Sequence, residues 1–369
     1  MRLTVPGYQR LLAQVVNFSF YETEIETVRA IAHDLTGLQS VTITGRATAA
    51  TLSLLDTAFS HVPRVFISGA LEHIETLLDY PQLCPRLVNI STFFGVEQDH
   101  ETLALVGRSL RQLESLSLIN RVNPRLIHVE DLVYLTRELT KLKSIQTSGP
   151  LENEQSLDWI PDSVVEFTVS DDELGRSEGI NVGRGVQRLV LQIGDTTMAR
   201  NVFRFPQLEH LEVHMNDDEE MDAVGWVQQL ARDNAPTLRS VHVSTKDADS
   251  QGLEVLKQIE SLPQLESLVI DLCCFEEGSF FSDRKLSLPK LDYFALHSIP
   301  ANYPNVSSFI KDILNAAPKL EYFFLDEPTC SGLAISITGP ASLQLFDKFN
   351  NLREFSMPKM YRVKRNQFI

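Results

Sequence analysis

The amino-acid sequence predicts an α/β solenoid, in which about 13 to 14 short parallel strands alternate with helices or loops. Three observations lead to this prediction. One short apolar pattern recurs along nearly the whole chain, its copies are evenly spaced, and the segments between copies have the apolar period of amphipathic helices. Strands and helices that alternate with short turns imply parallel strands joined by right-handed connections.

The recurring pattern is an apolar residue, two variable residues, an apolar residue, one variable residue, and a third apolar residue or threonine. Thirteen copies begin at Leu38, Val62, Leu87, Leu113, Leu142, Val164, Val186, Leu208, Leu238, Leu265, Leu291, Leu320 and Leu352. Their starts lie between 22 residues apart (Leu142 to Val164) and 32 residues apart (Leu320 to Leu352). A degenerate first copy is expected in residues 13–20. We predict that the first, fourth and sixth residues of each copy face the core, and that the third, fifth and seventh face the opposite side.

The segments between copies have apolar residues three and four positions apart, the period of a helix with one buried face. These segments are residues 22–35, 99–113, 129–142, 219–235, 250–262 and 305–317. Residues 148–207 differ, because their repeat intervals are 22 residues long, polar and glycine-bearing, so helices there are expected to be missing or reduced to a turn. A closed barrel or a doubly wound sheet also alternates strands and helices, but those folds need longer, fully buried strands.

No stretch rich in proline, glycine or serine divides the chain, so residues 1–369 are predicted to form a single repeat domain. The repeats are expected to cover about residues 13–357, with a basic C-terminal tail at 358–369. The tail carries Lys359, Arg362, Lys364 and Arg365. Three roles for it stay open: a solvated segment, a binder of an acidic partner, or a segment that lies back on the acidic body.

The composition argues against several classes of protein. With 49 acidic and 33 basic residues the formal net charge is −16, and binding of nucleic acids or anionic membranes needs concentrated lysine and arginine. The four cysteines form no C-x-x-C pair, and such sparse use fits a reducing compartment. No apolar run approaches the about 20 residues of a membrane helix, and the first residues lack the apolar core of a signal peptide. A cytoplasmic or nuclear protein is expected.

No catalytic motif is present in the sequence. The glycine-rich phosphate loop, the nucleophile elbow, the helical zinc motif and the dinucleotide fingerprint are all missing. Gly183 and Gly185 precede a predicted strand rather than follow one, which is typical of a turn and not of a phosphate cradle. We therefore expect no enzyme activity, no cofactor and no small-molecule substrate.

The recurring pattern resembles the leucine-rich repeat, whose unit is a short strand followed by a returning helix or loop, and the resemblance covers nearly the whole chain. The asparagine or cysteine usual in that repeat occurs only as Asn216 and Cys273. The repeats are therefore irregular and similar to those of F-box-associated and ribonuclease-inhibitor-like solenoids. The resemblance implies a horseshoe with strands on its concave face and helices or loops on its convex face. An F-box precedes the repeats in that family, but here repeat-like pattern begins by about residue 13, and no F-box is visible.

The predicted concave face changes character in the last third of the chain. The candidate partner-binding residues there are His210, Glu212, His214, His242, Asp271, Tyr293, His297, Tyr322, Phe324 and Asp326. Earlier copies present mostly serine, threonine and glutamine, so exposed aromatic rings in this stretch are typical of a protein-binding hot spot. A metal site built by Glu212 and the neighbouring histidines is a second interpretation, although histidines at alternate positions of a strand lie about 7 Å apart and fix no ligand cage. Plain solvated surface is a third.

Three classes of function are compatible with these features. The leading hypothesis is a scaffold or recognition subunit that binds a protein client on the concave face, such as the substrate-receptor-like arm of a ubiquitin ligase whose adaptor is supplied by another chain. The alternative is a stoichiometric inhibitor or regulator of a basic enzyme, which the acidity would suit. An activator of GTP hydrolysis is the third. Such activators use an arginine or asparagine on a loop, and no feature of this sequence identifies a residue of that kind. The expected partner is a protein, with no direct contact to nucleic acid or membrane.

Overall fold

The structure is a computed structural model, and the chain divides into two compact units, Met1–Leu174 and Gly175–Ile369. The residues that it describes are 10–93, 99–119, 127–148, 151–152, 159–170, 180–193, 202–215, 233–234, 236–245, 262–272, 287–297, 313, 315–325, 354–356 and 363–364. A single domain over residues 1–369 stays a prediction.

The first unit is built on a run of parallel strands. Its strands are β1 (Asn17–Tyr21), β2 (Ser40–Thr44), β3 (Arg64–Leu71), β4 (Leu87–Phe93), β5 (Ser115–Ile119), β6 (Ile127–His128), β7 (Ser144–Ser148), β8 (Leu151–Glu152) and β9 (Glu166–Ser170). The two-residue strands β6 and β8 pair with each other, and every other strand pairs in parallel with the next one in the run.

Helices return the chain between these strands. They are α1 (Ile25–Ile31), α2 (Ala49–Thr57), α3 (His100–Ser109) and α4 (Val129–Thr136), with short 3-10 helices at Glu22–Glu24, Ala32–Asp34, Ile74–Asp79 and Cys84–Arg86. Side-chain caps begin two of them: Thr48 accepts from the N–H of Thr51 at 3.3 Å before α2, and Asp99 accepts from the N–H of Thr102 at 3.0 Å before α3. The helices predicted within 22–35, 99–113 and 129–142 are confirmed. Helix α2 was not predicted, although Leu52, Leu55 and Phe59, three and four residues apart, are buried.

The predicted register of the repeats is confirmed in the first unit. The fourth residues of six copies, Val41, Val65, Ile90, Leu116, Ile145 and Phe167, are each 0% exposed. The degenerate first copy is also a strand, with Phe20 of β1 buried. The opposite face of the sheet carries the third, fifth and seventh residues of each copy, and we call it the open face.

A bulge lengthens β3 to eight residues and was not predicted. The pairing of β3 with β4 shifts between Ile67 and Ala70. At this bulge a Cβ atom on Gly69 would collide with the carbonyl oxygen of Gly45, which itself has a φ of 93°. Only glycine allows both the close approach and the left-handed backbone.

The second unit repeats the same plan. Its strands are β10 (Ile180–Val182), β11 (Arg188–Ile193), β12 (Val202–Arg204), β13 (His210–Met215), β14 (Ser240–Thr245), β15 (Ser267–Leu272), β16 (Tyr293–His297), β17 (Tyr322–Leu325), β18 (Glu354–Ser356) and β19 (Val363–Lys364). Strands β11 and β13 to β18 form a parallel run, β10 pairs with β12, and β19 pairs antiparallel with β18. Leu268, Phe294 and Phe323 fill the core at 0% exposure, in register with one another.

Each unit thus has the strand arrangement of a leucine-rich repeat solenoid, and the predicted fold class is confirmed. Most of residues 219–235, 250–262 and 305–317, where helices are predicted, lie outside the described residues, as do Asn216 and Cys273. The described part of 148–207 contains the short strands β8, β10 and β12 and no helix.

In the basic tail, Val363–Lys364 pairs with β18, so these two residues lie back on the body of the protein. No helix in the described parts of the chain is long and apolar enough to cross a membrane.

Candidate protein-binding face

Strand pairing arranges the open face of the second unit in three rows that run across the strands. The first row is Arg188, His210, Ser240, Ser267, Tyr293, Tyr322 and Glu354; the second is Val190, Glu212, His242, Val269, Ala295, Phe324 and Ser356; the third is Gln192, His214, Ser244, Asp271 and His297. Adjacent strands lie about 4.8 Å apart, so side chains next to each other in a row can touch. The register therefore brings together residues that are 22 to 32 residues apart in sequence.

Four of these residues form a polar cluster around one carboxylate: Arg188, Glu212, His214 and His242. Nη2 of Arg188 donates to Oε2 of Glu212 at 2.8 Å. The other oxygen, Oε1, lies 2.8 Å from Nε2 of His214 and 3.5 Å from Nδ1 of His242. The two histidine rings meet edge to face with centroids 5.5 Å apart. Glu212 thus organises three cationic or hydrogen-bonding side chains from three strands.

The electrostatics of the polar cluster follow from partial burial and close contacts. Burial alone would raise the pKa of the Glu212 carboxyl, but hydrogen bonds from Arg188 and His214 outweigh it and hold the pKa below its usual value. Burial lowers the pKa of His242, and the attraction of Glu212 offsets that effect only in part. At neutral pH the cluster therefore holds an ionised carboxylate beside a neutral His242 ring.

An aromatic cluster formed by Tyr293, Tyr322 and Phe324 lies on β16 and β17, with β15 between it and the polar cluster. The ring centroids of Tyr293 and Tyr322 are 6.4 Å apart, and those of Tyr293 and Phe324 are 5.4 Å apart. All three side chains are half-buried on the open face. Ala295 also faces this side, yet it is only 1% exposed, since large rings flank it in its own strand and in the next. The aromatic cluster is a continuous apolar surface rather than three isolated rings.

The structure places the remaining candidate residues on the same face, with one exception. His210 is exposed in the first row, next to Ser240. Asp271 accepts from the hydroxyl of Ser244 at 3.5 Å and is paired in register with His297. Asp326 lies outside the described residues.

A further row of charged residues borders the open face, and the sequence pattern did not single it out. This edge row consists of Glu209, Arg239, Glu266, Asp292 and Glu321, the second residues of five successive copies. From Arg239 onward, the N–H of each residue donates to the carbonyl oxygen of the residue before it in the row, at 2.7 to 2.9 Å. Arg239 reaches Glu209 at 3.7 Å and Glu266 at 3.4 Å. The edge row could have been predicted from the sequence, because acidic residues recur at the second position of these copies.

Partial desolvation and repulsion from Glu266 and Glu321 raise the pKa of Asp292, although much of the residue is exposed. Asp292 therefore lies between two acids of the edge row. The sequence pattern also did not identify Arg188 as a functional residue. Its ion pair with Glu212 becomes visible only in the structure.

Within the described residues, no group of three or more histidine, cysteine, aspartate or glutamate side chains is arranged to hold a metal ion. His214 and His242 instead share the Glu212 carboxylate.

No protein-family model and no curated protein matches this sequence. Among solved structures, the chain is similar to the crystal structure of the leucine-rich repeat-containing protein LegL7 from Legionella pneumophila, with 13% sequence identity and a TM-score of 0.43. That match covers 90% of this chain and 97% of LegL7. The strand pairing and core of each unit define the fold as a leucine-rich repeat, a class whose solenoids generally present extended surfaces that bind proteins.

Proposed function

We propose that the protein is a scaffold or recognition subunit that binds a protein client on the open face of its second unit. One observation carries the proposal. Tyr293, Tyr322 and Phe324 form a contiguous aromatic surface on a parallel sheet, with ring centroids 5.4 to 6.4 Å from Tyr293. Half-buried rings held rigidly gain further burial when a partner covers them, and they lose little conformational entropy in doing so.

The neighbouring polar cluster supports the same function. Arg188, Glu212, His214 and His242 are held to one another by contacts of 2.8 to 3.5 Å and so need little reordering on binding. An apolar centre with a polar border is the usual anatomy of a specific protein interface. The part of the first unit's open face that β5 and β7 form offers less, because it presents mainly Ser115, Ser117 and Ser144.

Two finer roles are compatible with such a surface. The first is the substrate-receptor-like arm of a ubiquitin ligase, in the cytoplasm or nucleus, in a complex whose other subunits supply the adaptor; the resemblance of the irregular repeats supports it. The second is a stoichiometric inhibitor or regulator of a basic enzyme. The acidic edge row and the net charge of −16 favour this second role.

Affinity purification of the tagged full-length chain from its native cells, read by mass spectrometry, tests the proposal. Wild type is compared with Tyr293→Ala/Tyr322→Ala and with the control Ser115→Ala/Ser117→Ala on the open face of the first unit. We expect the principal partner to be lost with the tyrosine variant and kept with the serine variant. Ubiquitin-ligase subunits among the lost proteins would favour the first role, and one stoichiometric basic enzyme the second. The same partners with all three chains would contradict the proposal.

A further inference from the structure

We propose that the polar cluster makes client binding sensitive to mild acid: the client binds while His242 is neutral and is released when this ring gains a proton. This inference rests on the proposed function and adds a regulation of the same face. It follows from the place of His242 on the sheet and from the charged groups around it.

His242 lies where the polar cluster meets the apolar part of the open face. In the second row it is paired in register with Glu212 on one side and with Val269 on the other. Val269 is half-buried, and Ala295 and Phe324 continue the row beyond it. With strands about 4.8 Å apart, the backbones of His242 and Phe324 are about 14 Å apart. An interface of standard size covers about 800 Å² of each partner, so a client on the aromatic cluster is wide enough to cover His242 as well.

The charges around His242 leave little to stabilise a proton on its ring. Glu212 attracts such a proton, but its carboxylate already pairs with Arg188 at 2.8 Å. His214 opposes a second positive charge, since the two rings meet with centroids 5.5 Å apart. The titratable and charged side chains on the face around His242 are Arg188 on β11, His210, Glu212 and His214 on β13, Asp271 on β15 and His297 on β16. Among the more distant of them, Asp271 favours the charged ring and His297 opposes it.

A bound client would make the charged ring still less favourable. Burial is the main cause that lowers the pKa of His242 in the free chain. The side chain is still 31% exposed, so a client can remove more of its solvent. Further loss of solvent would lower the pKa again, which means that the bound chain holds this proton less readily than the free chain. Binding then releases a proton, and affinity decreases as pH falls.

The test uses random linear peptides without histidine, displayed on phage and selected at about pH 7.5 against the immobilised full-length chain, with counter-selection against Tyr293→Ala/Tyr322→Ala. Peptides that depend on the tyrosines are synthesised, and their affinities are measured by fluorescence anisotropy from about pH 7.5 to about pH 5.5. Wild-type affinity should fall about threefold over this range. For His242→Gln, whose amide stays neutral, the fall should be less than about 1.5-fold.

A matched control makes the same substitution at an exposed histidine of the first row: His210→Gln should keep the wild-type fall. Circular dichroism at each pH confines the comparison to conditions in which each chain is folded. If the tyrosine variant does not fold, Phe324→Ala replaces it in the counter-selection.

A second measurement follows the proton itself. Nuclear magnetic resonance of the chain with labelled histidines records the titration of each ring, and the His242 signal is the one that is missing from His242→Gln. Its midpoint should move to lower pH when a selected peptide is bound.

Three results would overturn this inference and leave the proposed function standing. They are tyrosine-dependent peptides with equal or higher affinity at about pH 5.5, an equal fall for wild type and His242→Gln, or a His242 midpoint that does not move on binding. Failure to recover any peptide that depends on the aromatic cluster would overturn the proposed function itself.

Discussion

Tyr293 and Tyr322 occupy the same register position on adjacent parallel strands, with their ring centroids 6.4 Å apart. They are 29 residues apart in sequence (322 minus 293), one repeat of the solenoid. In such a fold the position of a residue within its repeat decides which residues of the neighbouring strand it meets. The aromatic cluster, the polar cluster and the edge row all arise in this way.

The core of the second unit should be sensitive to truncation at Leu268 and Phe294. Both are 0% exposed and are paired in register. Replacing either by alanine removes buried apolar contact and leaves a cavity, so each change should lower the free energy of unfolding by about 3 kcal/mol or more. Urea denaturation measures this, with Val269→Ala on the open face as the control. Losses below about 0.5 kcal/mol at both core positions would contradict the register.

Arg86 should be a structural residue of the first unit. Its guanidinium donates to the carbonyl oxygens of Leu55, Phe59 and Val62 at 2.7 to 2.9 Å, at and just after the end of α2. Replacing it by alanine leaves these carbonyls without that donor and should cost about 2 kcal/mol or more in denaturant titrations.

Two comparisons isolate the cause of that loss. Arg86→Lys keeps the charge but not the planar fork, so it should recover only part of the stability. Arg29→Ala removes an exposed pair with Glu26 and should change stability by less than about 0.5 kcal/mol. Equal stability of Arg86→Ala and wild type would mean that other donors or water satisfy the carbonyls.

His242 should make the protein less stable in mild acid. Burial lowers its pKa, so below the unfolded value of about 6.5 the unfolded chain binds more protons at this position than the folded chain. Stability should therefore decrease as pH falls through that value. Thermal unfolding at about pH 7.5 and about pH 5.5 should give a smaller drop for His242→Gln than for wild type. Exposed His33→Gln is the control and should keep the wild-type drop. A drop unchanged by His242→Gln would contradict the assignment.

Asp292 should cost stability at neutral pH. Because partial desolvation and the neighbouring acids raise its pKa, the folded chain holds this proton more readily than the unfolded chain, and stability is lost as pH rises through the folded value. Asp292→Asn should therefore raise the melting temperature at neutral pH. Asp99→Asn is the control of opposite sign, since hydrogen bonds from Thr102 at the start of α3 lower the Asp99 pKa. A lower melting temperature for Asp292→Asn would contradict this account.

The repeat pattern predicted the positions that face the core, because a strand with one buried face requires apolar residues at fixed intervals. Leu208, Leu211 and Val213, for example, are buried as predicted, while Glu212 and His214 lie on the open face. The side of the sheet on which the candidate residues lie was therefore predictable. Their side-chain contacts were not, since these depend on how each side chain is oriented, and several partners, such as Arg188 and His242 of Glu212, stand on neighbouring strands.

The sequence by itself determined the repeating unit, the core positions and the face that carries the aromatic residues, since all of these depend on local periodicity. Only the tertiary structure decided that Arg188 pairs with Glu212, that Gly69 packs against Gly45 in the β3 bulge, and that Val363–Lys364 pairs with β18. The physical reason is that none of these contacts is part of the repeat pattern. Residues at the same position of successive copies pair whatever the length of the segment between them, whereas the orientation of the Arg188 side chain, the β3 bulge and the pairing of the tail depend on how the folded segments pack.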